Sequence, residues 1–454
     1  MKPLPRIMVA GGGSGSGKTT VTCALLAAFM RRGLETAAFK CGPDYIDPMF
    51  HRKVQGAHSS NLDLFMLDED TVRGLLLENT ASLAAGIAVL EGVMGFYDGV
   101  GGNTAEASSW RLSQTTATPV LLVEDCKGSS LTVAAHIKGV AKFRHNRIRA
   151  VLLNNAGQGL FETLKPVIER ETGLPVLGHL PYLPDCAIES RHLGLVTAAE
   201  IEDLRGKIDR LADEAEKTVD IDAVLAIATD APPIKPPRKA FVGLRPAAHR
   251  RKRRIAVARD AAFCFYYEDG LNLLRKMGAE LAAFSPLSDP RLPPDLDGLI
   301  LGGGYPELYA AELSANVTML ASIKDAVTSG LPTVAECGGF MYLHRELEGA
   351  DGNRYPLAGV IDARCERTPR LVRFGYAEFT ANTDNLLCAA GETLRGHEFH
   401  YWDSEMPGDD FTAVKPGTDK RWKCITATKT LFAGFPHFHF CSAPAAAERF
   451  LSGC

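Results

Sequence analysis

A glycine-rich segment near the start of the chain has the spacing of a phosphate-binding loop. Residues 12–19 fit the pattern G-x4-G-K-[ST], between an apolar strand pattern and a helical pattern. Glycines let backbone N–H groups turn towards phosphate oxygens at the positive end of the next helix. Lys18 is expected to neutralise the β- and γ-phosphates, and the Thr19 hydroxyl to bind Mg²⁺. The pattern predicts that ATP binds at Gly12, Gly13, Ser14, Gly15, Ser16, Gly17, Lys18, Thr19 and Thr20.

Acidic residues at two further places could complete a magnesium site. Glu91 directly follows the apolar stretch IAVL, while Asp44 and Asp47 lie in the turn-rich segment KCGPDYIDP. Mg²⁺ needs few carboxylates when phosphate oxygens supply other ligands, so two of these three acids suffice. We assign Thr19, Asp47 and Glu91 as metal ligands, the alternative for each acid being a turn or cap residue. Lys40 is either a contact for an acyl phosphate or a surface lysine.

A second reactive centre is predicted at Cys337. The segment AECGG follows the apolar stretch LPTV and precedes a helical pattern, as in a nucleophile elbow. Backbone N–H groups at the start of the helix would help to ionise the thiol and bind an oxyanion. Gly338 and the glycines after the strand GLIL, Gly303 and Gly304, are the predicted oxyanion donors. The alternative is a buried cysteine that acts as a small apolar residue.

Two histidines near the C-terminus could supply the base for this thiol. His437 and His439 lie two residues apart in a short apolar stretch, and we expect them to face opposite sides so that only one meets Cys337. The strand pattern leaves open which one does so. His397 and His400 are weaker candidates, either for substrate contact or as polar residues of the core or surface.

The elements around these residues indicate an α/β fold with two domains. Short apolar segments at 7–10, 87–90, 120–123 and 150–153 have the β-branched content of buried parallel strands, and 201–216 is predicted to be an amphipathic helix. A stretch rich in proline and basic residues then separates two α/β series. We predict a P-loop domain at 1–228, a linker at 229–253 and a second α/β domain with the reactive cysteine at 254–454, with strands at 255–258, 298–301 and 333–335 and a β-rich tail.

Composition favours a soluble globular protein. Hydrophobic residues make up 46%, charged residues 23%, and the net charge is −4, so neither nucleic acid nor a membrane is an expected partner. The basic run 250–254 is interpreted as a solvated lead-in to a strand. Eleven irregularly spaced cysteines without a CxxC pair argue against disulfides and zinc, and favour the cytoplasm.

Taken together, the ordered motifs resemble the cobyrinic acid a,c-diamide synthases. They are GPDYIDP, NLD, LEGVMGFYDG, SRHLGLV, IAVARDAAFCFYY, LGGGYPEL, ECGG and RGHEFHY, and they span nearly the whole chain. The resemblance implies a dethiobiotin-synthetase-like domain that activates tetrapyrrole carboxylates with ATP, and a class I glutamine amidotransferase domain that supplies ammonia. It also implies Cys337 as nucleophile, His437 as base and Asn154 as a nucleotide-base contact. The implied substrate residues are Lys40, Asp44, Tyr45, Asp98, Arg191 and His192.

The sequence departs from the family in several places. His439 stands where class I enzymes commonly have Glu, so it is a candidate for orienting His437. The segment EDCKGSS replaces the family's usual small-residue run, and 100–109 also differs. Alternatives are the same chemistry on a sirohydrochlorin- or sirohaem-type tetrapyrrole, a ligase using free ammonia, or a ParA-type ATPase with an inactive amidotransferase domain. A homodimer is the candidate assembly.

Overall fold

The computed structural model describes residues 4–55, 59–81, 83, 86–186, 190–191, 194–195, 203–238 and 252–454. They belong to two compact units, Met1–Ala240 and Phe241–Cys454, which we call unit 1 and unit 2. Among the described helices, none is both long and apolar enough to cross a bilayer.

Unit 1 is built on strands that alternate with helices. The strands are β1 (Arg6–Gly11), β2 (Glu35–Cys41), β3 (Ser59–Leu62), β4 (Gly86–Glu91), β5 (Val120–Asp125), β6 (Ile148–Asn154), β7 (Val176–Leu180), β8 (Ser190–Arg191) and β9 (Gly194–Leu195). The helices are α1 (Lys18–Arg31), α2 (Ile46–Gln55), α3 (Glu69–Thr80), α4 (Ser109–Thr115), α5 (Thr132–Phe143), α6 (Gln158–Thr172), α7 (Leu204–Thr218) and α8 (Ile221–Thr229).

Seven of these strands form one parallel sheet in the order β3-β2-β4-β1-β5-β6-β7. All six residues of β1 are buried, which requires both faces of the sheet to be covered. Apolar residues of α1, α7 and α8 share one core with inward side chains of β1, β4, β5 and β6. The four strands predicted in this half are confirmed as β1, β4, β5 and β6, and α7 is the predicted amphipathic helix from residue 204 onwards.

The strand order determines where the functional residues meet. Because the strands are parallel, their carboxyl ends lie along one edge of the sheet. β1 ends at the phosphate loop, and its neighbours β4 and β5 end at Glu91 and Asp125. β6, beside β5, ends at Asn154. Ligand-binding residues that are far apart in sequence are therefore brought to the same edge.

Unit 2 contains a second α/β sheet followed by a β-rich region. Its strands are β10 (Arg253–Ala258), β11 (Phe263–Phe265), β12 (Ala279–Phe284), β13 (Gly298–Leu301), β14 (Gly303–Gly304), β15 (Thr333–Glu336), β16 (His344–Glu348), β17 (Arg354–Pro356), β18 (Ile361–Arg367), β19 (Arg373–Ala381), β20 (Thr393–His400), β21 (Trp402–Ser404), β22 (Phe411–Val414), β23 (Arg421–Cys424), β24 (Thr426–Ala427), β25 (Leu431–Gly434) and β26 (His437–Phe438). Its helices are α9 (Glu268–Lys276), α10 (Ala310–Ala315), α11 (Val317–Thr328), α12 (Gly338–Tyr342) and α13 (Pro444–Gly453).

The central sheet of unit 2 has the order β12-β10-β13-β15-β25-β24, parallel except for β24. β15 lies between β13 and β25 and leads directly into Cys337. A separate antiparallel sheet, β23-β22-β19-β20-β26, carries His437 on β26 opposite His397 on β20. The predicted strands at 255–258, 298–301 and 333–335 and the β-rich tail are confirmed.

The structure describes the predicted linker only near its two ends, at 229–238 and 252–253. On the unit 1 side, the guanidinium of buried Arg6 donates to the carbonyl of Pro232, so this part of the linker packs on unit 1. On the unit 2 side, Arg254 lies in β10, where its backbone N–H donates to Asp297 Oδ2 at 2.8 Å and its side chain is 3.6 Å from Glu280. The last two arginines of the basic run thus begin a strand and meet acidic partners.

Candidate functional site

The phosphate loop joins β1 to α1 with two glycines in the left-handed region. Gly15 has φ 75° and Gly17 has φ 87°, and Gly17 caps the start of α1. Asn154 Nδ2 donates to the carbonyl of Ser16 at 3.1 Å, and a Cβ on Gly17 would come within 2.1 Å of the same nitrogen. Asn154 therefore packs directly on the loop, and only glycine fits at position 17.

Lys18 is held along this loop by two backbone carbonyls. Its Nζ donates to Gly13 at 2.9 Å and to Met94 at 2.7 Å. Burial, assisted by the nearby Lys40 charge, lowers the pKa of Lys18 to about 8. The negative charge of a bound phosphate would stabilise the ammonium form of Lys18 at this position.

Four buried ionisable side chains and the Thr19 hydroxyl form a network at the end of β4, centred on Glu91. Glu91 Oε1 accepts from Thr19 Oγ1 at 2.7 Å and from Lys40 Nζ at 2.8 Å, and Oε2 is 2.7 Å from His51 Nε2. Lys40 also pairs with Asp47. Burial opposes ionisation of Glu91, but Lys40 and His51 outweigh it and hold the pKa of the carboxyl well below its usual range.

The predicted metal ligands Thr19, Asp47 and Glu91 are brought together around Lys40. Their hydroxyl and carboxylate oxygens are hard donors of the kind that Mg²⁺ prefers, so the residues fit this ion. Among the described residues there is no cluster of three His, Cys, Asp or Glu side chains that could hold a metal ion. Lys40 is 3% exposed, so its reading as a surface lysine is wrong.

The predicted substrate residues lie in different surroundings. Asp44 Oδ1 accepts from the backbone N–H of Ile46 at 2.8 Å at the start of α2, and Asp98 Oδ2 accepts from Gly95 N–H at 2.8 Å. Both acids thus order local backbone. Tyr45, next to Asp44 in sequence, is buried. The backbone of Arg191 lies in β8, and His192 lies outside the described residues. Ser14 is exposed, and Thr20 is half-buried in the first turn of α1.

Sequence analysis missed His51, which is fully buried against Glu91. It lies four residues after Asp47 on α2, so both side chains share one helix face. That spacing was the available signal.

In unit 2, Cys337 occupies a strained turn between β15 and α12. Its backbone has φ 48° and ψ −102°, an unusual conformation for a residue with a side chain. The Cys337 N–H donates to the carbonyl of Gly434 at 2.8 Å, which continues the pairing of β15 with β25. This is the geometry expected of a nucleophile elbow.

His437 is the histidine that meets the thiol. Burial disfavours the imidazolium, but the charge of Cys337, a hydrogen bond to its side chain and Glu336 outweigh burial and raise the pKa of His437 to about 10. Glu336 Oε2 lies 3.7 Å from His437 Nδ1. The arrangement places a cationic imidazole beside the side chain of Cys337.

The three predicted oxyanion glycines surround the same pair. A Cβ on Gly303 would lie 2.5 Å from His437 Cε1, and a Cβ on Gly338 would lie 3.0 Å from the backbone nitrogen of Gly304. The loop after β13 is therefore packed against both the base and the helix that follows Cys337. Side chains at these positions would push the loop away from the thiol.

Side chains two residues apart on a strand point to the same face, so the expectation that His437 and His439 face opposite sides is wrong. His439 lies just beyond β26, which ends at Phe438. Its ring stacks on Tyr267 with centroids 4.8 Å apart, and its Nδ1 accepts from the N–H of Cys441 at 3.1 Å. Burial lowers the pKa of His439 to about 4. Glu336, not His439, is the residue that lies next to Nδ1 of His437 and can orient its ring. Glu336 directly precedes Cys337, in a motif that sequence analysis assigned without giving this residue a role.

The other two histidines are buried, not on the surface. His397 stacks on His437 with centroids 5.0 Å apart, and its Nε2 is 2.9 Å from Tyr267 Oη. His400 stacks on Phe435 at 3.9 Å, and burial lowers its pKa to about 3. His397 therefore packs behind the proposed base.

Comparison with known proteins agrees with both sites. Residues 7–196 match the CobQ/CobB/MinD/ParA nucleotide binding domain, and residues 254–445 match the CobB/CobQ-like glutamine amidotransferase domain. A cobyrinate a,c-diamide synthase from Caldanaerobacter subterraneus is 38% identical over 98% of this chain and 98% of that protein. The chain belongs to the cobyrinate a,c-diamide synthase family.

Two more relatives carry the same name. The Thermoplasma volcanium protein is 39% identical over 99% of this chain and 97% of its own length, and the Priestia megaterium protein is 38% identical over the same shares. Matches of this length include both domains. The chain is a glutamine-dependent amidoligase with a nucleotide-binding domain, and its substrates are small molecules.

Proposed function

We propose that this protein uses ATP and glutamine to convert the a and c carboxylates of cobyrinate to amides. The observation that carries the proposal is the joint presence of two intact sites, Lys18 with Thr19 and Glu91 in unit 1, and Cys337 with His437 in unit 2. The shared name of the full-length relatives supports cobyrinate as the substrate.

In unit 1 the reaction needs an activated carboxylate. A carboxylate oxygen of the substrate attacks the γ-phosphorus of ATP, forming a C–O–P bond and releasing ADP. Lys18 neutralises charge on the transferred phosphoryl group, and Thr19, Glu91 and Asp47 would hold Mg²⁺, which supplies further neutralisation. Lys40, between both acids, is suited to bind the oxygens of the acyl phosphate.

In unit 2 the thiolate of Cys337 attacks the amide carbon of glutamine. His437 gives a proton to the leaving nitrogen, so ammonia departs and a thioester remains. The backbone N–H groups of Gly304 and Gly338 are proposed to bind the oxyanion. Water, deprotonated by His437, then cleaves the thioester to glutamate. Ammonia attacks the acyl phosphate, the C–N bond forms and phosphate leaves.

Incubation with ATP, glutamine and a candidate tetrapyrrole, followed by mass spectrometry, tests this function. Each amidation replaces a hydroxyl by an amino group and changes the mass by the same small step. We expect two steps with cobyrinate and none with sirohydrochlorin. Amidation of sirohydrochlorin alone would support the proposed reaction but reject cobyrinate as the substrate. ATP hydrolysis without amide formation would favour a ParA-type ATPase.

A further inference from the structure

Glu124 and His136 form a pair beside the phosphate loop that the mechanism above does not use. Glu124 lies near the carboxyl end of β5, and His136 lies on α5. Glu124 Oε1 is 2.6 Å from His136 Nδ1. The Glu124 side chain is only 11% exposed, whereas the His136 side chain is 47% exposed. The pair therefore runs from the protein interior to solvent.

Both side chains pack closely against Gly12, the first glycine of the phosphate-loop pattern. A Cβ on Gly12 would lie 2.4 Å from Glu124 Oε2 and 2.5 Å from His136 Cε1. This Oε2 atom is buried and has no hydrogen-bond partner among the described residues. Buried carboxylate oxygens without a hydrogen-bond donor are rare and destabilising. We therefore expect Oε2 to accept a hydrogen bond from a bound ligand.

The chemistry of the loop restricts what that ligand can be. Phosphate oxygens held by the loop are negative, so the ionised carboxylate of Glu124 repels them and a neutral or positive N–H donor suits Oε2 better. Ammonia has N–H groups, and its nitrogen becomes positive when it attacks an acyl carbon. A carboxylate beside the loop would attract it and accept its surplus proton.

We propose that Glu124 is the proton acceptor for the nitrogen nucleophile and that His136 positions it and connects it to solvent. The assignment rests on the amidation proposed above. Ammonia nitrogen forms the C–N bond, the C–O–P bond breaks, and its electron pair leaves with phosphate. One N–H proton passes to Glu124 Oε2, and the carboxyl then loses it to solvent across the His136 imidazole.

The surroundings of Glu124 suit this task. Burial raises the pKa of its carboxyl and Asp125 adds to the effect, while the His136 contact opposes both. A carboxylate with a raised pKa is a better proton acceptor near neutral pH than an exposed one.

Single-turnover kinetics of Glu124→Gln with ammonium chloride as nitrogen donor test the proposal. The amide side chain keeps the shape but cannot accept the proton. We expect ADP formation in the first turnover within twofold of the wild-type rate, and amide formation slower by roughly 100-fold, as for loss of a general base. His136→Ala should lose about tenfold, and added imidazole should restore it because the side chain is half exposed. Glu171→Gln is the matched control and should behave as wild type. It removes an exposed salt bridge to Lys138, which lies on α5, the helix that carries His136.

Two results with Glu124→Gln would overturn the proposal. The first is amide formation at the wild-type rate. The second is an equal loss of ADP and amide formation, which would show a role in nucleotide binding or folding. Failure of imidazole to restore His136→Ala would reject the route through His136. If the wild-type protein itself forms no amide from ammonium, the proposed function fails instead.

Discussion

Glu336 and His437, on strands of two different sheets, lie with Oε2 and Nδ1 3.7 Å apart beside Cys337. Glu336 Oε1 also accepts from the N–H of Phe438 at 3.3 Å, so one carboxylate contacts both the ring and the backbone of β26. A group in this place can keep the imidazole ring oriented and stabilise its charged form.

We therefore expect Glu336→Gln to lower glutaminase activity by about tenfold or more, because His437 loses the negative partner of its imidazolium. Glutamate release measures this effect. Glu405→Gln, at an exposed salt bridge with Arg364, is the control. Full activity in Glu336→Gln would show that the carboxylate does not orient the base.

His437→Ala should reduce glutamine hydrolysis by about two orders of magnitude or more, as expected on loss of a general base. His439→Ala should cost less, because His439 packs on Tyr267 and contacts Cys441. Amidation from ammonium should survive both changes. The reverse kinetic ranking would assign the base to His439.

Cys337→Ser should abolish synthesis with glutamine and retain it with high ammonium, because the ligase site does not need the thiol. Cys454→Ser, which alters a partly exposed cysteine at the C-terminus, should leave both activities unchanged. Parallel assays with the two nitrogen donors separate these outcomes. Equal loss with both donors would contradict two separable sites.

Lys18→Ala should slow ADP formation by about two orders of magnitude or more, since removal of one electrostatic contact to the transition state costs ~3 kcal/mol or more. Lys138→Ala removes an exposed lysine and serves as control. Glutaminase activity measured without a tetrapyrrole reports whether unit 2 remains folded. Normal ADP formation in a folded Lys18→Ala protein would refute the phosphate-loop assignment.

The pKa of His437 predicts how stability varies with pH. A pKa raised in the folded protein to about 10, from an ordinary value of 6.5, means that the folded state binds the proton more tightly. Its stabilising contribution is complete below about pH 6.5 and is lost as pH rises towards 10. Urea unfolding at several pH values should show this decline for the wild type and a weaker decline for His437→Gln. Identical slopes would contradict the raised pKa.

The sequence by itself determined the local features of this protein. Phosphate-loop spacing, the run ECGG and the apolar strands are read from neighbouring residues, since loop conformation and strand burial depend on local residue types. These motifs led to the P-loop, the elbow at Cys337 and the family. The sequence also identified His437 and His439 as the two candidate bases, but it left open which of the two meets the thiol.

Only the tertiary structure decided which distant side chains meet. His51 pairs with Glu91, Glu336 with His437, and Glu124 with Gly12, because the order of strands brings separate chain segments to one sheet edge or joins two sheets. Charge and burial at these places depend on partners that no local pattern specifies. For the same reason Lys40, whose position allowed a surface reading, is a buried cation between Asp47 and Glu91.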